Sequence, residues 1–123
     1  MKGYLVFFSC RGGDVVTKGK TFHLEEGYYA YVGSCGNYCE KRVSRHLNRE
    51  KGKRHWHVDF LSELCEPLGV LVINAEERNI ASYLSNFPSI EGFGSSDDKT
   101  NKSHLFRVES GQALKHIIAL GKK

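Results

Sequence analysis

Proline is scarce in this chain, with two among 123 residues, and no apolar run approaches the ~20 residues that would span a bilayer. The first shortage is ordinary for a globular chain and leaves no proline-rich linker. The second leaves no membrane partner to expect. A CxxC pair is also missing: Cys10, Cys35, Cys39 and Cys65 are irregularly spaced. Met1 runs straight into a strand-like segment with no leader pattern between them. Four cysteines in such a chain read as reduced thiols rather than staples, and the expected compartment is the cytoplasm. No repeat and no linker divides the sequence, so residues 1–123 are expected to form one domain with a core of its own.

What the chain has instead is concentrated positive charge. The formal net charge is +4, and from Lys41 to His57 there are seven Lys or Arg and three His against one acid, Glu50. Such a block suits a polyanion, because each neutralised phosphate releases condensed counterions. The plainer reading is a solvated helix face without a partner.

Gly3 to Phe8 is a continuous β-rich apolar run and predicts a central strand. Turns at Arg11–Asp14 and Lys18–Lys20 bracket Val15-Val16 and Thr21–Leu24, which predicts a hairpin. Helices are expected from about Tyr38 to Glu50, from His55 to about Cys65, from Glu76 or Glu77 through Leu84, and from Gln112 to Leu120. Pro67-Leu68-Gly69 is read as the break after the second helix, with a strand from Val70 to Asn74. Ser103 to Val108 is another strand. Between them, Glu91–Lys102 has the composition of a polar loop.

The rest is organised around Gly27–Ser34. Aromatic and β-branched residues between two glycines predict a strand. Gly27, Tyr29, Tyr31 and Gly33 share one face, with Tyr28, Ala30, Val32 and Ser34 on the other. Two phenols beside a close-approach glycine, followed by a helix with Arg42 and His46 one turn apart, suit an anion or phosphodiester site. Metal-assisted hydrolysis needs a base for water, a cation for the phosphate and a carboxylate for a hard ion. Tyr29 or Tyr31, Arg42 and Glu77 offer these, although strand tyrosines are more often packing partners. His55, His57 and Asp59 form a second cluster that would contact metal or phosphate, or else cap and anchor a helix. Cys35-x3-Cys39 fits no common zinc site.

These residues resemble the GIY-YIG nuclease superfamily. The likeness rests on Tyr31-Val32-Gly33-Ser34, Arg42-x2-Arg45-His46, His55-Trp56-His57-x-Asp59 and Phe93-Gly94-Ser95-Ser96-Asp97 with Ser103-His104-Leu105-Phe106. Within it the chain looks like a branch of unknown function found in archaea and some bacteria, at times fused to endonuclease III. The resemblance implies an α/β (α+β) fold: a small central sheet flanked by helices, extended here by the early hairpin. It also implies metal-dependent cleavage of DNA, more than RNA, in a repair setting with a repair-enzyme partner. Tyr29 and Tyr31 would handle the water proton, Arg42 would offset phosphate charge, and Glu77 would hold Mg²⁺ or Mn²⁺. Gly33, Ser34, Arg45, His46, His55, His57, Asp59, Ser95, Ser96, Asp97 and His104 would bind substrate. Two departures stand out. Leu5 occupies the place of the superfamily's first tyrosine, and Glu76 competes with Glu77 for the acidic position. The alternative is a catalytically silent nucleic-acid-binding module on the same scaffold.

Overall fold

The computed structural model describes residues 2–17, 19–35, 40–41, 44, 61, 63–93, 101 and 103–108. Among them are six strands and one α-helix: β1 (Gly3–Cys10), β2 (Gly13–Thr17), β3 (Lys20–Leu24), β4 (Gly27–Ser34), β5 (Cys65–Ile73), α1 (Glu77–Tyr83) and β6 (Leu105–Arg107). The architecture is mixed α+β. An antiparallel sheet runs in the order β5-β1-β4-β6, with β2 and β3 paired separately as a hairpin.

The apolar run of β1 sits inside the sheet because both its faces are covered. Residues of one parity, Tyr4, Val6 and Phe8, pack with Tyr29 and Tyr31 of β4 under Val15, Phe22 and Leu24 of the hairpin. The hairpin thus folds back as a lid on that face, turning at Gly19 (φ 84°), a conformation that glycine adopts without steric cost. The other parity, Leu5 of β1 with Ala30 and Val32 of β4, is covered by Ile80 and Ala81 of α1 and by Leu84, the residue that caps its C-terminus. A helix of seven residues is marginal alone, so α1 depends on this apolar stripe. The expected stripe of Ile80, Tyr83 and Leu84 is present except that Ala81 is buried and Tyr83 only partly so.

Two expectations need correction. Cys10 and Cys65 are buried, but they are bonded to each other as a disulfide across the β1–β5 pair, and Cys35 is disulfide-bonded as well. Reduced thiols therefore do not describe this chain, and they no longer support a cytoplasmic setting. No described helix is long and apolar enough to cross a membrane. Second, Cys65 opens a strand rather than ending a helix, and β5 runs through the expected break at Pro67. Pro67 is tolerated because β1 is the only described partner of β5 and the pairing register shifts beside it, between Phe7 and Phe8. Glu91–Phe93, the described start of the expected polar loop, is non-regular as expected, and its Phe93 is fully buried, the ring edge-on to Phe22 (5.0 Å) and Tyr31 (6.4 Å). The final strand is shorter than expected, at three residues. The helix expected over Gln112–Leu120 lies outside the described residues. Glu40, Lys41 and Ser44 are helical and exposed, in keeping with the first expected helix.

Candidate active site at the Gly33 end of the sheet

Strand register brings Tyr4 opposite Gly33 and Gly3 opposite Ser34 at one end of the β1–β4 pair. Each glycine there makes room for a specific neighbour. A Cβ on Gly33 would collide with the ring and hydroxyl of Tyr4, so the phenol lies across Gly33 in space that only glycine leaves. A Cβ on Gly3 would stand 2.9 Å from the Ala75 carbonyl oxygen and 3.3 Å from the Glu77 nitrogen. Gly3 therefore lets the start of α1 seat directly on the sheet. Gly33→Ala is expected to lose roughly 1–3 kcal/mol of stability through overpacking against Tyr4, read from urea unfolding.

Seating α1 in this way puts Glu77, its first residue, at the same end. Glu76 stands outside as the N-cap residue and is exposed, so it is Glu77 that turns inward. The Glu77 side chain is 31% exposed and its Oε1 lies 3.3 Å from Nδ1 of His104, whose ring is 1% exposed. His104 is pinned by its backbone: its N–H donates to the Phe93 carbonyl (2.9 Å) and its carbonyl accepts from Val32 N–H (2.8 Å). Strand alternation from Val32 places Ser34 on the face that carries α1, so Ser34, Glu77 and His104 belong to one side of the sheet end.

The tyrosines belong to the other side. Tyr31 is buried in the hairpin-covered core, in the same cluster as Tyr4. Tyr29 is at the far end of β4, four residues or roughly 13 Å from Gly33 along a strand. Its hydroxyl donates to the Glu25 carbonyl at 2.7 Å. Burial pushes the Tyr29 phenol up, against the opposing charge of Arg107, which suits a neutral core hydroxyl better than a base. Arg107 closes that far end by donating to the Glu25 carboxylate (2.8 Å) and the Glu26 carbonyl (2.9 Å). Sequence reasoning missed Tyr4. The pairing that sets Tyr4 opposite Gly33 is a matter of strand register and leaves no local mark in the sequence.

Arg42, Arg45, His46, His55, His57, Asp59, Ser95, Ser96 and Asp97 lie outside the described residues. The structure thus brings together Gly33, Ser34, Glu77 and His104 of the predicted set and leaves Tyr29 apart. A cavity of about 420 Å³ at the opposite end of β1 is lined by Arg11, Glu26, Glu63, Glu66 and the Cys10–Cys65 pair. Three carboxylates to one guanidinium make it a poor host for a polyanion.

A family profile described as a domain of unknown function, DUF123, matches residues 3–122. The chain belongs to the DUF123 family. The match takes in every described strand and α1, so the Gly33 end of the sheet lies within the DUF123 domain. No curated protein and no solved structure matches this DUF123 chain.

As a metal ligand, Glu77 would stand nearly alone, because no three His, Cys, Asp or Glu side chains gather among the described residues. That donor set fits Mg²⁺ or Mn²⁺ held by one carboxylate and completed by water and substrate phosphate, rather than an all-protein cage.

Proposed function

We propose that this DUF123 domain is a metal-dependent nuclease of the GIY-YIG type that hydrolyses phosphodiester bonds in DNA. The observation that carries the reading is the half-buried Glu77 carboxylate, seated on the sheet end by Gly3 and backed by His104. Two further features support it. In sequence, the basic block Lys41–His57 follows β4, which ends at Ser34. The small central sheet, β5-β1-β4-β6, is compatible with the small central sheet that the resemblance implies, with one strand more than the three expected.

In this reading Glu77 holds Mg²⁺ or Mn²⁺, which when bound supplies Lewis-acid stabilisation of phosphate charge and an acidified water. Arg42 offsets the charge that develops on the phosphate, and the lysines and arginines of the basic block hold the backbone of the polyanion. Ser34 offers a hydroxyl to a phosphate oxygen. The proton-handling role goes to Tyr4, whose hydroxyl lies across Gly33 at this end of the sheet, in place of Tyr29, while Tyr31 is part of the hairpin-covered core. Arg45, His46, His55, His57, Asp59, Ser95, Ser96 and Asp97 surround the substrate. A repair setting and a repair-enzyme partner follow from the same resemblance.

The test is cleavage of labelled duplex, branched and single-stranded DNA and RNA, with Mg²⁺, with Mn²⁺ and with EDTA. Wild type is expected to cut at least one DNA substrate only with metal. Arg42→Ala is expected to cut about a hundredfold or more slowly, the usual effect of removing one charge-stabilising donor. Salt-sensitive DNA binding with no cutting under any metal would instead identify the silent binding module.

A further inference from the structure

We infer that the outer edge of β5 is a homodimer surface, where a second copy of this chain pairs its own β5 antiparallel about a two-fold axis at Val70. The inference is independent of the nuclease reading.

β5 is the end strand of the sheet, and among the described residues no strand lies beyond it. Every residue of β5 after Cys65 keeps some exposure, whereas β1 beside it is mostly buried. Two large apolar side chains stand out on it, Leu68 at 56% and Val72 at 46% exposed. An apolar edge strand invites another strand, and proteins guard such edges with charge, proline or a bulge. β5 has those guards at its start, in Glu66, Pro67 and the register shift that skips Leu68. From Gly69 to Ile73 it has none.

Self-complementarity names the occupant. Residues opposed across an antiparallel pair both turn their backbone groups toward the partner or both turn them away, so a two-fold pairing sets one residue against its own copy. With Val70 on the axis, Leu68 falls opposite Val72 and Val72 opposite Leu68, so the two exposed side chains cover each other. Gly69 falls opposite Leu71. A Cβ on Gly69 would meet nothing within 4 Å, which leaves room there for the leucine of the second copy.

Charge selects the same register. Glu66 then faces Asn74, a carboxylate against an amide. An axis at Gly69 would set Glu66 against Val72, and one at Leu71 would set Leu68 against Asn74. Both oppose a polar group to an apolar one. A single short strand pair lies at the small end of specific interfaces, below ~1,200 Å², so the dimer is weak and concentration-dependent. It joins two sheets into one, with the two Gly33 ends pointing in opposite directions, because the Ile73 end of each β5 meets the Cys65 end of the other.

The test is sedimentation equilibrium of the full chain from about 5 μM to about 500 μM, without nucleic acid. Wild type is expected to pass from monomer to dimer and to stop there, since a two-fold contact closes on itself. Val72→Lys and Leu68→Glu are each expected to weaken the dimer about tenfold or more, because each sets two charges against apolar partners. The double variant opposes lysine to glutamate twice and is expected to return to within about threefold of wild type. Tyr28→Lys, at an exposed position on β4, is expected to leave association unchanged. A wild-type monomer throughout overturns the inference, and so does growth beyond the dimer. Loss of the dimer in Tyr28→Lys, or a double variant no better than the weaker single one, overturns it too. Should a single variant fail to fold, Gly69→Lys decides, since it fills the space left for Leu71: undiminished association there overturns the pairing.

Discussion

Glu77→Gln is expected to abolish metal-dependent cutting, by about a thousandfold or more, while the protein stays folded. The size follows from what the carboxylate would do. A metal that stabilises transition-state charge contributes several kcal/mol, and each 1.36 kcal/mol is a factor of ten in rate. An amide of the same shape keeps the side-chain volume and loses the charge that recruits the ion. The structural cost is small by comparison. Glu77 is the acidic residue of the first turn of α1, where a negative charge interacts favourably with the helix dipole. Losing that interaction at a part-exposed site costs ~0.3–1 kcal/mol. The His104 contact survives in form, because the amide oxygen still accepts. Single-turnover cleavage and a melting curve on one preparation check both halves. A variant that cuts at the wild-type rate removes Glu77 from the chemistry, and a variant that is unfolded removes the neutral-substitution argument.

The parts of the fold legible in the sequence were those with strong local patterning. β1 announces itself as an uninterrupted apolar run, the hairpin as two short β stretches about Gly19, and β4 as aromatics between glycines. The parity of β4 was also legible, and Tyr29 and Tyr31 do share a face opposite Ala30 and Val32. What parity could not say is that both faces are buried, because the element covering the tyrosines is a hairpin from elsewhere in the chain. So Tyr29, read as facing a ligand, faces Glu25 and the core. The start of β5 was misread because Pro67 is a breaker in isolation, and only the sheet order makes it an edge residue. Phe93 was hidden by polar neighbours, and its partners Phe22 and Tyr31 are 71 and 62 residues away in sequence. Tyr4 and the Gly3 seat were invisible for a related reason: each is defined by a strand partner or a helix start, and neither has a local signal. The candidate site is a product of register.

The cysteines carry the largest expected effect on stability. Replacing both Cys10 and Cys65 by alanine is expected to cost about 4 kcal/mol and to lower the melting temperature by roughly 10–20 °C. The bridge closes a loop with a sequence separation of 55, and closure entropy rises with the logarithm of that length. The loop it closes holds the hairpin, β4 and the entry to the basic segment, so the cross-link restricts the unfolded chain over nearly half of its length. Cys10 and Cys65 are register partners at the end of the β1–β5 pair. Alanine leaves no polar atom at either buried position and only a small void where the sulfurs packed. The double variant isolates this bridge, which a reducing agent would not, since Cys35 is bonded too. Calorimetry of the wild type and the double variant without reductant gives the value directly. A shift under about 3 °C, below the estimate for even one kcal/mol, would mean that the unfolded chain is not freed by losing the bridge. The cleavage assay gains a second use from this variant. The bridge and the Glu77–His104 pair lie at opposite ends of β1, so a double variant that stays folded at the assay temperature should cut at the wild-type rate, and slower cutting would couple the two ends of the sheet.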